Sequence, residues 1–281
     1  LLQPHEIIDR LLAEERLAAG VVCNETATPR QLIRRSSYDL LGLPPSPEDV
    51  ARFEANPSQE AWFVWIDTCL ASYHYAERWG RYWLDWVRFS ETNGYERDGL
   101  KPNAWRYRDY VIDAFHRDRP YDQFIIEQLA GDCLAPLPTT ELWTEEDRNR
   151  IIATGFYRLH RWDDEPDDSQ AAQYDELDDI LSTIGTVFLA QTIGCARCHD
   201  HKFDPISQQD YYSLLSTLRG LEPYGPQKKG GGGRGIGRIL TYFTNETQRQ
   251  AWENERQQQI SILEKALEAE ADPTARLAIS E

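Results

Sequence analysis

The chain has 281 residues, 41% of them hydrophobic, and a net charge of −17 at pH 7. That is length and apolar content for one large domain or two smaller ones, and a charge that repels nucleic acid and anionic membrane surfaces at long range. It has no methionine, so no thioether from that residue serves a metal, and its five cysteines are odd in number, which argues against a disulfide framework.

Residues 1–20 read as an amphipathic helix with the stripe Ile7, Ile8, Leu11 and Leu12, stopped by Gly20. A second helix runs from about Pro29 to Leu41 and ends at Gly42. Ser46-Pro47-Glu48-Asp49 is a strong helix start: a hydroxyl cap, proline in the first helical position, and acids facing the helix dipole. Asn56-Pro57 repeats the device for a helix over about 57–71. Residues 73–89 carry the richest aromatic face, with Tyr75, Trp79, Tyr82, Trp83 and Trp86 at three- and four-residue steps. Such a face suits a core helix or the wall of a flat cofactor.

Residues 90–103 form a long polar loop, a length that points to function. Helices are predicted at about 104–118, 121–130 and 144–159, the last opened by Thr144 with Asp147 three places on. Pro136 and Pro138 interrupt the chain between the last two. The acid-rich stretch 163–179 begins as a loop and then enters a helix containing Leu177, Ile180, Leu181, Ile184, Val187 and Phe188. That helix is expected to deliver the chain to Cys195. Residues 206–219 read as a further helix. Gly225 to Gly237 is a flexible surface loop in composition, and 247–271 is a long polar helix with the short seam Ile260, Leu263 and Leu267. The expectation is a mainly α, multi-helix globular domain over 1–224, a Gly-rich loop over 225–243, and a helical arm, or the start of a further domain, over 244–281.

The sharpest signal is Cys195-Ala196-Arg197-Cys198-His199. Cys-x-x-Cys-His is the attachment signature of haem c. Two thiols three positions apart reach the two vinyl groups on one side of a porphyrin, and the next histidine then lies under the iron. A zinc site built from Cys195, Cys198 and one of His199 or His201 lacks the second half of the usual ligand set, and a plain thiol pair or disulfide does not need His199. His74, His116 and His160 are candidates for a second axial ligand. Asp163, Asp164, Asp178 and Asp179 are candidates for Ca²⁺, which takes several carboxylate oxygens, although their spacing fits no EF-hand. A carbohydrate-binding or interaction module stabilised by a metal, Ca or Zn, and without haem is thus the rival reading. A hydrolase using two acids among Asp98, Asp178 and Asp179 is a weaker one. The longest apolar run, around Ile184 to Ile193, is too short and too polar to span a bilayer.

Several segments carry a resemblance to a known family. They are Leu41-Gly42-Leu43-Pro44-Pro45-Ser46-Pro47, Glu77-Arg78-Trp79, Asp85-Trp86-Val87-Arg88-Phe89, Thr92-Asn93-Gly94-Tyr95-Glu96-Arg97-Asp98, and Pro102-Asn103-Ala104-Trp105-Arg106-Tyr107-Arg108-Asp109. Further along come Pro120-Tyr121-Asp122-Gln123-Phe124, Gln128-Leu129-Ala130-Gly131-Asp132, Glu176-Leu177-Asp178-Asp179, and Cys195 to Pro205. Together they cover roughly residues 35–220 and resemble the planctomycete cytochrome-c-like domain family, whose function is unknown. The resemblance implies an exported, periplasmic or otherwise extracytoplasmic bacterial protein. It also implies an additional cytochrome domain as companion and a link to polysaccharide use with a saccharide as candidate substrate. The electron-transfer or oxidoreductase role, with a redox partner, is the expectation from the haem motif itself. His160 stands where relatives are expected to carry another residue.

Overall fold

The computed structural model describes residues 3–135, 144–163 and 166–221, together with the isolated helical positions Asn254, Gln257, Gln258, Ile260 and Ser261. The breaks at Pro136 and Pro138, the Gly-rich loop over 225–243 and most of the arm over 247–271 lie outside the described residues. The fold is mainly α, as the periodicity required. The antiparallel bridge between Thr92 and Leu100 is the one β pairing among the described residues. No helix among them is long and apolar enough to cross a membrane.

The chain divides into two compact units, Leu1–Arg78 and Trp79–Glu281. The first contains α1 (Pro4–Ala18), α2 (Pro29–Leu41), α3 (Pro47–Ala55) and α4 (Gln59–Leu70). Their ends follow from cap chemistry. The Thr28 hydroxyl accepts from the Gln31 N–H, and the Gln31 side chain returns to the Thr28 N–H. Gly42 closes α2 in the left-handed region at φ 71°, where a residue with a Cβ would be strained. Ser46 caps α3 through the Asp49 N–H. The fourth helix corrects the sequence reading: Asn56 terminates α3, and Ser58 caps α4 by accepting from the Ala61 N–H. Here α2 packs on both α3 and α4. The apolar stripe of α1 stays exposed, and none of its residues is buried.

Helix α5 (Tyr73–Trp86) carries the chain into the second unit. Gly80, Trp83 and Val87 form its buried stripe there, so the aromatic face splits: Trp83 is core, whereas Trp86 is exposed. The unit continues through α6 (Ala104–His116), α7 (Tyr121–Leu134), α8 (Glu145–Ala153), a 3₁₀ helix (Thr154–Arg158), α9 (Ser169–Phe188), a second 3₁₀ helix (Ile193–Arg197) and α10 (Gln208–Thr217). Two cores organise it. The larger centres on Trp83, whose ring lies 4.7 Å from Phe124 and 5.8 Å from Phe188, with Tyr110, Val111, Phe156 and Ile180 around it. Burying rings of this size is the main stabilising term. Fully buried Gln128 satisfies the polar atoms: its carbonyl accepts from the Trp83 indole at 3.2 Å and from the Tyr107 hydroxyl, and its amide donates to the Phe124 carbonyl at 3.0 Å.

The smaller core joins α9, the second 3₁₀ helix and α10 through Leu177, Leu181, Ile193, Ala196, Tyr211 and Leu215. A second correction falls here. The approach to Cys195 is not helical throughout: α9 stops at Phe188, Ala190 takes a positive φ of 53°, and the chain turns before the 3₁₀ segment.

Candidate functional site

The 3₁₀ turn is held by its apolar and cationic residues, and its sulfurs are left outside. Ile193 and Ala196 enter the smaller core, while Cys195, Cys198 and His199 are all exposed. The two thiols are free rather than joined in a disulfide. Arg197, between them, reaches back to α9 and donates to Asp175 at 2.7 Å and Asp178 at 2.8 Å. These acids lie three apart and so share one helix face. Asp178 also accepts from the Tyr211 hydroxyl, and the Arg197 carbonyl accepts from the Tyr212 hydroxyl at 3.1 Å and the Gln208 amide at 3.0 Å. The turn is therefore tied to α9 and α10 on its inner side, independently of its cysteines.

The segment that follows closes on itself. Asp200 accepts from the Gln208 N–H at the head of α10 at 2.8 Å, and the His201 N–H donates to the Ile206 carbonyl at 2.8 Å. His201 Nδ1 accepts from the Asp204 N–H at 2.9 Å, and Nε2 lies 3.0 Å from the Thr192 hydroxyl, so both its nitrogens serve the loop. His199 is different. Its Nδ1–H donates to the Asp200 carbonyl at 2.8 Å, and Nε2 has no partner among the described residues. That contact selects the tautomer whose Nε2 lone pair is available, the arrangement of a metal-binding histidine steadied by its other nitrogen. The segments entering and leaving the turn also expose Leu189 and Phe203, large apolar side chains of the kind a porphyrin face covers. Two free exposed thiols, one oriented imidazole and nearby uncovered apolar surface fit a covalently attached haem.

The next face of α9 builds a second polar cluster. Glu176 and Asp179 stand one position on from Asp175 and Asp178, and they turn toward the residues after α5 and after the first 3₁₀ helix. Asp179 accepts from Arg88 at 2.6 Å. Glu176 Oε2 lies 2.7 Å from His160 Nε2, with both side chains nearly wholly buried. Burial pushes Glu176 up to about 8 and lowers His160 to about 4. Lys101, from the 90–103 loop, donates to the Ser90 hydroxyl at 2.9 Å and to the carbonyls of Leu159 and His160 at 3.1 and 2.7 Å. Burial, then the nearby guanidinium groups of Arg158 and Arg88, lower it to about 8. The same loop is pinned by the Trp162 N–H, which donates to the Asn93 carbonyl at 2.9 Å.

The structure thus brings Cys195, Cys198 and His199 together and spends other candidates elsewhere. His160 has Nδ1 on the Arg161 carbonyl at 2.5 Å, and its Nε2 is buried 2.7 Å from Glu176 Oε2 without the alignment of a hydrogen bond. His74 pairs with Glu77 at 3.0 Å within the first unit, and His116 is exposed at the end of α6. Arginines hold Asp178 and Asp179. Asp163 is half-buried in the loop before α9, and Asp164 lies outside the described residues. Among the described residues no group of three or more His, Cys, Asp and Glu is placed to hold a bare metal ion. Sequence reading missed Arg197, Lys101 and Glu176. The three- and four-residue spacing of the acids in α9 was the available signal for two loaded faces.

Residues 7–222 match the PSCyt2 family, described as a protein of unknown function (DUF1549). No curated protein and no solved structure matches the chain. The match spans most of the sequence, and the chain belongs to this planctomycete cytochrome-domain-associated family.

Proposed function

We propose that this PSCyt2 member binds haem c through thioethers at Cys195 and Cys198, with His199 as the iron ligand on one side, and acts as an electron-transfer or oxidoreductase domain outside the cytoplasm. The observation that carries the reading is the His199 ring, whose Nδ1–H is spent on the Asp200 carbonyl at 2.8 Å while Nε2 stays available on the same exposed turn as two free thiols. When bound, haem supplies a one-electron iron couple. The chain's own contribution is to hold the turn. Ile193 and Ala196 bury its inner side, Arg197 fixes it to α9, and Asp200 orients the imidazole. No other residue is assigned to a metal. The further parts of the proposal, a redox partner protein or cytochrome domain and a saccharide-derived substrate, rest on the family resemblance.

The test is intact-mass measurement of protein exported from a bacterial host that attaches haem c to a control cytochrome. Wild-type chain is expected to carry one covalent haem, and the Cys195→Ser/Cys198→Ser variant none. Complete alkylation of both thiols in wild-type protein from that host would overturn the proposal.

A further inference from the structure

We propose that helix α1 of one copy docks in the groove between α3 and α4 of a second copy, so that two copies exchange their first helices about a two-fold axis. The inference does not depend on haem. It starts from two uncovered apolar surfaces on the first unit. On α1, Ile7, Ile8, Leu11 and Leu12 share one helix face, each between 39% and 57% exposed, and no residue of the helix is buried. On α4, Trp62 to Ile66 are apolar residues in an unbroken row, enough to reach every side of a helix, yet Cys69 is its one buried residue. Helix α2 packs on one side of α4, while Phe63 and Val64 stand in solvent. A helix that is apolar all round calls for cover on more than one side.

The groove suits an amphipathic helix. It is a cleft of about 190 Å³ walled by α3 from Asp49 to Asn56 and by α4 from Ala61 to Thr68, with Phe53 and Trp65 in its lining. The Trp65 indole donates to the Ser36 hydroxyl at 2.8 Å, which fixes that ring against α2. Each wall is about 10.5 Å long and the α1 stripe about 7.5 Å, so the stripe fits within the cleft. Arg52 on the rim is 74% exposed and meets one of the acids that flank the stripe, Asp9 on one edge or Glu14 on the other, whichever way the helix runs. The polar face of α1 carries Glu6, Asp9, Glu14 and Glu15 against Arg10 and Arg16, which argues against an anionic lipid surface as its partner. A second copy supplies one more helix and one more groove, and reciprocal docking fills both and closes the assembly. Residues 19–28 join α1 to α2 without helix or strand and span up to about 30 Å, ample for exchange. Each seated stripe covers about 350 Å² of α1 and as much of the groove, so two such contacts bury about 1,400 Å², the size of a specific interface.

Sedimentation velocity on the full chain tests the exchange. Wild-type protein should pass from monomer to dimer at about 10 µM, and more readily at high salt, because the charge of −17 on each copy opposes an apolar contact. Leu11→Glu and Val64→Glu, both at exposed positions, should keep the monomer's melting temperature and each weaken association by about tenfold or more. Wild type that stays monomeric at about 100 µM would overturn the proposal, and so would a Val64→Glu variant that dimerises like wild type. A photo-crosslinker then locates the helix. It replaces Glu15, four positions on from Leu11 on the same face, in ¹⁵N-labelled copies mixed with unlabelled ones. Exchange requires crosslinks from labelled α1 to unlabelled peptides within 49–68. Crosslinks confined to the labelled copy's own groove, or to α1 of the other copy, would contradict it.

Discussion

Arg197 donates to Asp178 at 2.8 Å, so one of the two residues between the cysteines is fastened to the helix that leads into them. The contact fixes the turn from its inner side and leaves the sulfurs uncommitted. Its strength is modest, because the guanidinium is 39% exposed and the two aspartates are partly solvated. Arg197→Ala should destabilise the chain by about 1 kcal/mol, a fall in melting temperature of about 3 °C, and lower the fraction of chain carrying haem. Arg197→Lys should recover part of the stability but less of the loading, since an ammonium cannot reach both acids in a fork. Calorimetry and intact mass read the two effects separately.

Gly185 lies where α9 supports the turn. A Cβ there would meet Ile193 Cγ1 at 2.5 Å and the Gln191 carbonyl oxygen at 2.9 Å. The second neighbour is backbone and cannot rotate away. Gly185→Ala is expected to cost about 2 kcal/mol by overpacking, despite alanine's better helix propensity. Unfolding in urea should show the loss as a lower midpoint, with faster alkylation of Cys195 and Cys198 in the metal-free chain.

Farther from the turn, an ion network joins α7 and α8 through Arg119. Glu127 is 3% exposed and accepts from the Tyr110 hydroxyl at 2.8 Å and from Arg119, which also binds Glu146. Arg119→Ala strands a buried carboxylate and should destabilise by about 3 kcal/mol. Glu146→Ala removes only the more exposed partner and should cost about 1 kcal/mol. Denaturant midpoints for the two variants check the order.

The buried pair also shapes stability against pH. Folded Glu176 keeps its proton to about 8 and an ordinary glutamate only to 4.5, so the folded state holds the extra proton between those values and stability falls as pH rises across them. Folded His160 is lowered to about 4 from 6.5, so its contribution rises with pH between about 4 and 6.5. The two slopes oppose each other up to 6.5, and a net loss remains from about 6.5 to 8. Lys101, lowered to about 8, adds its slope only above that. Glu176→Gln should leave only the rise below 6.5 and remove the loss above it, measured as melting temperature across the range.

Much of the fold was legible because its signals are local. Pro29, Ser46-Pro47 and Thr144 with Asp147 start helices where their local chemistry says they should, and Gly42 ends one. The spacing of Cys195, Cys198 and His199 is local in the same way, and the structure places all three on one exposed turn. What was not legible is contact between distant positions. Asp178 and Asp179 look alike in a row of acids, yet one meets Arg197 and the other Arg88, because adjacent helix residues point about 100° apart. His160 carried no local sign that it would be buried beside Glu176. The turn at Ala190 was missed because a left-handed alanine is set by packing on either side of it, not by its own preference.

The central claim, a porphyrin joined to Cys195 and Cys198 with iron on His199, is tested most directly by the absorption spectrum of the dithionite-reduced protein in alkaline pyridine. A haem held by two thioethers gives a sharp α band distinct from that of haem b, and the band should stay with the protein through acid–acetone extraction. Loss of all colour into the acetone, or no α band in protein from a host that loads a control cytochrome, would contradict it.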